Sequence, residues 1–358
     1  MTKHILKIAT ILAITITSCL PSNAQDSTKT FVPIVNYTAD VVVNTRGGFK
    51  TGALVLGYGE AGLEINPWQN GQFNFTIATT HGGVPSDELV GDWQLFDNIE
   101  AGTYIFALNA WYRHTFNKVT VKAGLQDAND SYSTSDAASN MLNTSFGGNQ
   151  VLLSAGNIPT MPNNGLGINV EWNVSNTLTW QAGVFDGFLI ALDDDNKFNL
   201  KHKLSSSTGY VFVTEAAVNP NDALLLKVGA FYHTGLENNG YYASCEKSFQ
   251  MQGNRAINAF VTGGYAPRAY DDVANASITC GATLTSVFNK NGADALSAGL
   301  ASVHIDGYKW ETALELNYLY QINDHFYASP DLQWIINPGM IIKNKNALVA
   351  TLRLGYEL

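Results

Sequence analysis

The sequence predicts an all-β fold, a transmembrane antiparallel up-and-down β-barrel of about 16 strands, and three observations favour it. Only 14% of the 358 residues are Asp, Glu, Lys or Arg, against roughly 25% in an average soluble protein. Beyond residue 24, no stretch approaches the roughly 20 consecutive apolar residues that a membrane-spanning helix needs. Apolar and polar residues alternate instead, and a barrel presents its apolar surface with every second residue.

The alternation is clearest near the C-terminal end. Within residues 311–321, Leu314 and Leu316 fall on one face while Glu315 and Asn317 fall on the other. A strand produces this separation and a helix does not, because side chains change face at every residue only in a strand. Residues 103–114 also predict a strand. Asn109, Trp111 and Arg113 fall on one of its faces, and the opposite, apolar face consists of Tyr104, Phe106, Leu108, Ala110 and Tyr112.

Segments of this kind occur along the whole chain, and their number is even. They begin near residues 31, 51, 71, 104, 118, 165, 177, 209, 223, 239, 257, 276, 295, 311, 326 and 347. If both chain ends lie in the periplasm, the connections after odd-numbered strands face outside. The long connections 80–103, 127–164 and 186–208 then all lie outside, which is the asymmetry that outer-membrane barrels show.

A soluble β-sandwich or a secreted β-propeller is the alternative fold, since both also alternate polar and apolar residues. The outward face of such a domain carries many charged side chains, because it contacts water. The low content of Lys and Glu in this chain therefore favours the barrel.

The N-terminus predicts export. Lys3 and Lys7 precede the apolar stretch 8–16, and a small residue at position 24 gives a cleavage site, so residues 1–24 are interpreted as a signal peptide. The barrel would then occupy residues 25–358 with a net charge of −12, which argues against nucleic acid as a partner. The alternative is a lipid-modified Cys19, since residues 16–19 resemble a lipobox.

Motifs that would indicate catalysis or metal binding are incomplete. Residues 57–62 spell GxGxxG, but no helical pattern follows to hold a pyrophosphate, so glycines in a curved strand are the preferred interpretation. The acidic segments 127–131 and 193–195 lack the glycine and distal glutamate of a calcium loop. A GxSxG motif is also absent. The sequence predicts no enzyme activity, no metal site and no cofactor.

Two cysteines remain after residue 24, Cys245 and Cys280. Cys280 is expected on the lipid face of strand twelve and Cys245 on strand ten. One intervening strand separates them by about 9 to 10 Å, at the usual strand spacing of 4.7 to 4.9 Å, which exceeds the roughly 7 Å limit for bridging Cα atoms. We therefore expect no disulfide.

Several polar and charged residues fall on the predicted inner faces, where a barrel of this size is wide enough for an aqueous channel. They are Trp111, Arg113, Lys122, Glu171, Lys227, Glu311, Glu315, Asp331, Gln333 and Arg353. Each could contact a solute or simply belong to a wall of paired ions.

Several blocks of the chain resemble one family. They are residues 311–318 (ETALELNY), 330–333 (PDLQ), 337–339 (NPG) and 352–354 (LRL), with 110–112 (AWY), 124–129 (GLQDAN) and 143–147 (NTSFG) upstream. These blocks resemble the carbohydrate-selective, OprB-type porins of Gram-negative outer membranes. The likeness covers most of the chain from about residue 96 and is most specific in the last fifty residues, whereas residues 25–95 and 186–208 match weakly.

The resemblance implies an outer-membrane channel through which small carbohydrates diffuse passively, with the third outer loop, 127–164, folded into the lumen. Asp127 and Asp130 would lie at the base of that loop and face Arg113. The residues expected to line the pore are Trp111, Arg113, Asp127, Asp130, Glu171, Glu311, Glu315, Asp331, Gln333 and Arg353. Two alternatives stay open, a general and mildly cation-favouring diffusion porin, and a plugged receptor or adhesin barrel. The residues do not distinguish a monomer from a homotrimer.

Overall fold

A computed structural model describes residues 30–193, 195–269, 272–288, 294–340 and 343–358. The predicted signal peptide, its cleavage site and Cys19 lie outside these described residues.

The described residues form sixteen antiparallel strands that close into one barrel, in which each strand pairs with its sequence neighbours and β1 pairs with β16. Every strand begins within two residues of its predicted start, so the predicted fold class is confirmed. The strands are β1 Phe31–Gly48, β2 Gly52–Trp68, β3 Gly71–Gly82, β4 Tyr104–Phe116, β5 Val119–Gln126, β6 Gly165–Asn173, β7 Leu178–Asp186, β8 Tyr210–Asn221, β9 Leu224–His233, β10 Asn238–Gln250, β11 Ala256–Tyr265, β12 Ala274–Thr285, β13 Asp294–Ile305, β14 Glu311–Gln321, β15 Phe326–Ile336 and β16 Lys345–Glu357.

The two faces of the barrel wall differ as the alternation predicts. On β14, Leu316 is 48% exposed on the outside while Glu315 is 3% exposed on the inside. A face of exposed leucines is stable against lipid and not against water, so the outer surface is the surface that contacts the membrane. In the part of the chain that the structure describes, no helix is both long and apolar enough to span a bilayer.

The predicted faces of β4 are wrong in its first half. The pairing of β3 with β4 shifts register between Thr76 and Ile77, where one extra residue of β4 is accommodated. A bulge of this kind exchanges the two faces of a strand. Ile105 is consequently 56% exposed on the lipid side, whereas Phe106 is 1% exposed and packs inside the barrel with Leu108.

Beyond this bulge the predicted alternation of β4 is restored. Trp111 and Arg113 therefore lie on the inner face, while Ala110 and Tyr112 lie on the outer face.

The GxGxxG segment lies wholly inside β2, as the interpretation of a curved strand expects. Gly57 faces outward beneath Tyr37 and His81, whose side chains are hydrogen-bonded at 2.8 Å. A Cβ on Gly57 would come within 2.1 Å of the His81 ring. The glycine therefore provides room for a polar aromatic pair on the barrel surface, and no helix follows it.

The two cysteines are free thiols on either side of β11. Cys245 of β10 and Cys280 of β12 are both in register with Val261, so the backbone of β11 lies between them.

Long connections lie at one end of the barrel, after β3, β5 and β7, and fold over or into it. We call residues 83–103 loop 2, residues 127–164 loop 3 and residues 187–209 loop 4. Turns at the opposite end are short, for example residues 69–70 between β2 and β3 and residues 117–118 between β4 and β5. We refer to this opposite end as the short-turn end.

Candidate functional site

Loop 3 crosses the inside of the barrel and is hydrogen-bonded to opposite walls. On one side, the Ser133 amide donates to Glu215 of β8 at 2.8 Å, and Lys227 of β9 donates to the Thr134 carbonyl at 2.8 Å. On the other side, the amides of Leu142 and Asn143 donate to the Glu315 carboxylate of β14 at 2.6 and 3.0 Å. These charge-assisted bonds hold the loop across the lumen.

Asp127 joins the two ends of loop 3. Its carboxylate accepts hydrogen bonds from the Asn129 amide, the Thr160 hydroxyl and the Met161 amide, at 2.8 to 3.1 Å. Burial, with a contribution from Asp130, raises the pKa of Asp127 to about 7. The side chain is thus placed to fix the loop's entry and exit.

Loop 2 covers the inner face of β14. The Glu311 carboxylate accepts from the amides of Trp93 at 2.9 Å, Gln94 at 2.9 Å and Gly339 at 2.5 Å. Three backbone donors on one carboxylate replace the water that this buried group has lost. Glu311 therefore binds the loop backbone and is not exposed to the lumen.

A buried ionic cluster fastens loop 2 to β1 and β16. The Arg353 guanidinium makes a two-point contact with Asp40, its Nη2 lying 2.7 Å from Oδ2, and also lies 3.3 Å from Asp97 of loop 2. Asn98 accepts a further bond from Arg353 at 2.8 Å. Burial raises the pKa of Asp97 well above its usual range, and the neighbouring Asp40 adds to this while Arg353 opposes it.

Gln333 and Asp331 of β15 complete the same covered surface. Gln333 donates to the Phe96 carbonyl of loop 2 at 2.8 Å and to Asp331 at 3.1 Å, and it accepts from the Asn143 amide group of loop 3 at 3.2 Å. We call the inner faces of β1, β14, β15 and β16 the covered wall, because both loops lie on them.

The inner faces of β3 to β9 differ, because they border a cavity of about 600 Å³ that lies between loop 3 and the short-turn end. We call them the open wall. Arg113 and Asp130 are exposed in this cavity, and Lys122 and Glu171 are partly exposed. The rest of the lining is mainly amide and hydroxyl, with two further charged residues, and comes chiefly from Gln72, Thr115, Thr120, Ser131, Asn169, Thr179, Gln181, Glu215 and Lys227.

Trp111 lies on the open wall beside two cations. The Arg113 guanidinium is 5.8 Å from the centre of the indole ring, and the Lys122 ammonium is 5.7 Å from it. Both distances are within cation–π range. The indole is thus engaged by the protein's own cations.

The structure therefore divides the predicted pore residues into three groups. Arg113, Asp130 and Glu171 share the cavity, with Trp111 adjacent. Asp127 holds the ends of loop 3 together. The remaining five lie on the covered wall, facing inward but beneath the loops, and are Glu311, Glu315, Asp331, Gln333 and Arg353.

Gln72 and Gln181 are cavity residues that sequence reasoning did not select. Both fall on inner faces of their strands, so the alternation contains the signal, but an uncharged amide stands out less in the sequence than a charged side chain. Asp40 was also missed, because it is a single carboxylate within the apolar run 39–43. In the described ranges, no group of three or more metal-ligating side chains is gathered in a form that could bind a metal ion.

Comparison with known protein families shows to which family the chain belongs. The family model for the carbohydrate-selective porin, OprB family, matches residues 63–306 and 289–358. The protein belongs to this family. It is therefore an integral barrel of the outer membrane, as the fold also indicates. A comparison with curated proteins finds no match.

Solved structures share the fold of this porin. The high-pH structure of Pseudomonas putida OprB superposes with a TM-score of 0.83 at 18% identity, covering 92% of this chain and 94% of that chain. The low-pH structure of the same protein has a TM-score of 0.63 at 16% identity, covering 92% and 93%. A mutant of the Rh. blastica porin has a TM-score of 0.53 at 16% identity, covering 92% and 100%.

Proposed function

We propose that this porin is a passive, carbohydrate-preferring channel through which small sugars diffuse into the periplasm. The observation that carries the proposal is the cavity of about 600 Å³ on the open wall, with its lining of carboxylate, amide and hydroxyl groups. Sugar hydroxyls both donate and accept, so they are matched by carboxylate acceptors, amide groups and Arg donors.

The polar groups of the cavity suit weak binding at several positions. Gln72, Thr115, Thr120, Thr179 and Gln181 come from four strands, β3, β4, β5 and β7, so a solute can exchange hydrogen bonds as it moves. Conduction requires such weak, multiple contacts, because a tightly bound solute would not leave. Residues 1–24, interpreted as the export signal, and the orientation of the short-turn end toward the periplasm are parts of the same proposal.

Liposome swelling tests the proposal. Proteoliposomes containing the porin should swell faster in small sugars than in amino acids of equal size. Absence of swelling in every solute, together with single-channel conductance near zero, would remove the channel and favour a plugged receptor. Equal rates for sugars and amino acids would remove the sugar preference and leave a general diffusion porin.

The contribution of loop 3 can be tested in the same assay. Asp130→Ala should change sugar permeation or ion selectivity, since Asp130 is exposed in the cavity. The double variant with Asp127→Ala should add a loosening of loop 3, visible as noisier single-channel current. An unchanged channel in both variants would reject a role for these two residues.

A further inference from the structure

Two cations lie directly opposite each other on the open wall. Arg113 of β4 and Lys122 of β5 are cross-strand partners, and both border the cavity. Like charges in this position destabilise a sheet. We call these two residues the basic pair, and their proximity requires an explanation.

The protein's own bonds to the basic pair come from neutral oxygens. Arg113 donates to the Gln72 side-chain carbonyl at 2.6 Å, and Lys122 donates to the Ser131 hydroxyl at 3.2 Å. Glu64 is connected to Arg113 only through Gln72, whose amide nitrogen donates to the Glu64 carboxylate at 3.0 Å. Among the described residues, no carboxylate oxygen lies within 4.0 Å of either cation.

Two other charged side chains of the cavity lining already have hydrogen-bond partners within the protein. Lys227 donates to the Thr134 carbonyl and hydroxyl of loop 3. Glu215 accepts from Ser133, Gln181 and Tyr242. By contrast, Asp130 and Glu171 border the cavity beside the basic pair, and we call them the acidic pair.

We propose that the basic pair binds the acidic group of an anionic sugar, a carboxylate or a phosphate, while the acidic pair accepts hydrogen bonds from its hydroxyls. This inference rests on the proposed function and names the substrate class within it. Arg presents a planar fork to an oxyanion, and Lys adds a point charge beside it. A carboxylate acceptor is in turn well suited to a hydroxyl donor.

The arrangement fits this class better than the simpler alternatives. A neutral sugar would leave two adjacent cations with no anion in contact, because among the described residues Asp130 and Glu171 lie more than 4.0 Å from them. An inorganic anion would leave Asp130 and Glu171 without donors. A molecule with an acidic group at one end and hydroxyls at the other satisfies both pairs at once, and a monosaccharide is small enough for a cavity of about 600 Å³.

Tracer flux through proteoliposomes tests the inference. Labelled glucuronate, glucose 6-phosphate and glucose are compared, with unlabelled solute equal on both sides so that no net charge moves. Wild-type protein should pass at least one of the anionic sugars no more slowly than glucose, despite a chain with net charge −10. In the double variant Arg113→Gln with Lys122→Gln, that flux should fall about tenfold while glucose flux stays within about twofold.

The control is the double variant Lys118→Gln with Lys309→Gln, which removes the same charge from exposed residues outside the cavity lining and should leave all three fluxes unchanged. Whichever anionic sugar responds to loss of the basic pair identifies the acidic group as carboxylate or phosphate. Flux of anionic sugars that is independent of the basic pair, or an equal fall for glucose, overturns the inference. Absence of glucose flux in the wild type would instead refute the proposed function.

Folding of each variant is checked by the shift in gel mobility between unheated and heated samples. A second pair of variants, Arg113→Lys and Lys122→Arg, keeps both charges and should retain flux of the anionic sugar. Loss of that flux in these conservative variants as well would mean that packing and not charge is responsible, and would overturn the inference.

Discussion

The covered wall and the open wall carry similar residues on equivalent inward positions, yet the two surfaces do different things. Glu315 on the covered wall bonds to two backbone amides of loop 3, whereas Glu171 on the open wall borders a cavity. Arg353 is bonded to two carboxylates, whereas Arg113 is bonded to a neutral amide. Loops 2 and 3 therefore remove the inward charges of Arg353 and Glu315 from the lumen, whereas Arg113 and Glu171, which make no hydrogen bond to a loop among the described residues, remain open to the cavity.

The largest difference between the walls should appear when an arginine is lost. Arg353→Met leaves the buried carboxylates of Asp40 and Asp97 without their cation, which should lower the free energy of unfolding by about 3 to 5 kcal/mol. Arg113→Met removes an exposed cation with no ion pair and should cost less than about 1 kcal/mol. Urea titration in lipid vesicles measures both. Equal costs would show that the two walls do not differ in this respect.

Glutamates on the two walls should differ next. Glu315→Gln weakens the charge-assisted bonds from Leu142 and Asn143, which should cost about 1.5 to 3 kcal/mol and make single-channel current noisier as loop 3 loosens. Glu171→Gln is the matched control and should leave the noise unchanged. If the single-channel current is no noisier in Glu315→Gln than in Glu171→Gln, Glu315 does not hold loop 3.

A smaller effect should appear in the dependence of stability on pH. The pKa of Asp127 is raised to about 7, so the folded protein binds a proton that the unfolded chain releases near pH 4. Stability should therefore fall as pH rises between about 4 and 7, because over this range the unfolded chain loses a proton that the folded protein keeps. Asp127→Asn should remove this part of the slope.

Glu100 in loop 2 provides the comparison for that measurement. Burial raises the pKa of Glu100 to about 7 as well, so the slope that remains in Asp127→Asn should come partly from Glu100. The variant Asp127→Asn with Glu100→Gln should flatten the curve further. An unchanged slope in the double variant would show that these two carboxyls are not responsible.

The smallest effect on stability should come from Glu171→Gln, at under about 0.5 kcal/mol, because this side chain borders the cavity and holds no loop. Its effect should instead be on ion selectivity, as one negative charge is removed from the open wall. Reversal potentials in a salt gradient measure the change. A large loss of stability with unchanged selectivity would place Glu171 with the covered wall.

Much of the barrel was predictable because its strands obey a short-range rule. Alternation with period two located every strand start within two residues and put Glu315 and Asn317 inside. The first half of β4 was not predictable, since its faces depend on a register shift that arises only when it pairs with β3.

The division of the lumen into a covered wall and an open wall could not be predicted from the sequence either. Alternation shows that Glu311 and Arg113 both face inward, but the position of loop 2 over Glu311 depends on contacts between residues more than 200 positions apart. Hydrogen bonds of that span leave no local pattern. The paired role of Arg353 was hidden for the same reason, because its partner Asp40 is 313 positions away.

That last pair has a consequence for assembly. Asp40 and Arg353 face each other across the junction of β1 and β16, the seam at which the two ends of the barrel meet. If β16 slipped by one residue along β1, the Arg353 guanidinium would point into lipid, because a one-residue slip exchanges the faces of a strand. A slip by two residues would keep Arg353 inside but separate it from Asp40. The ion pair therefore favours a single register between β1 and β16, the one in which Arg353 lies opposite Asp40.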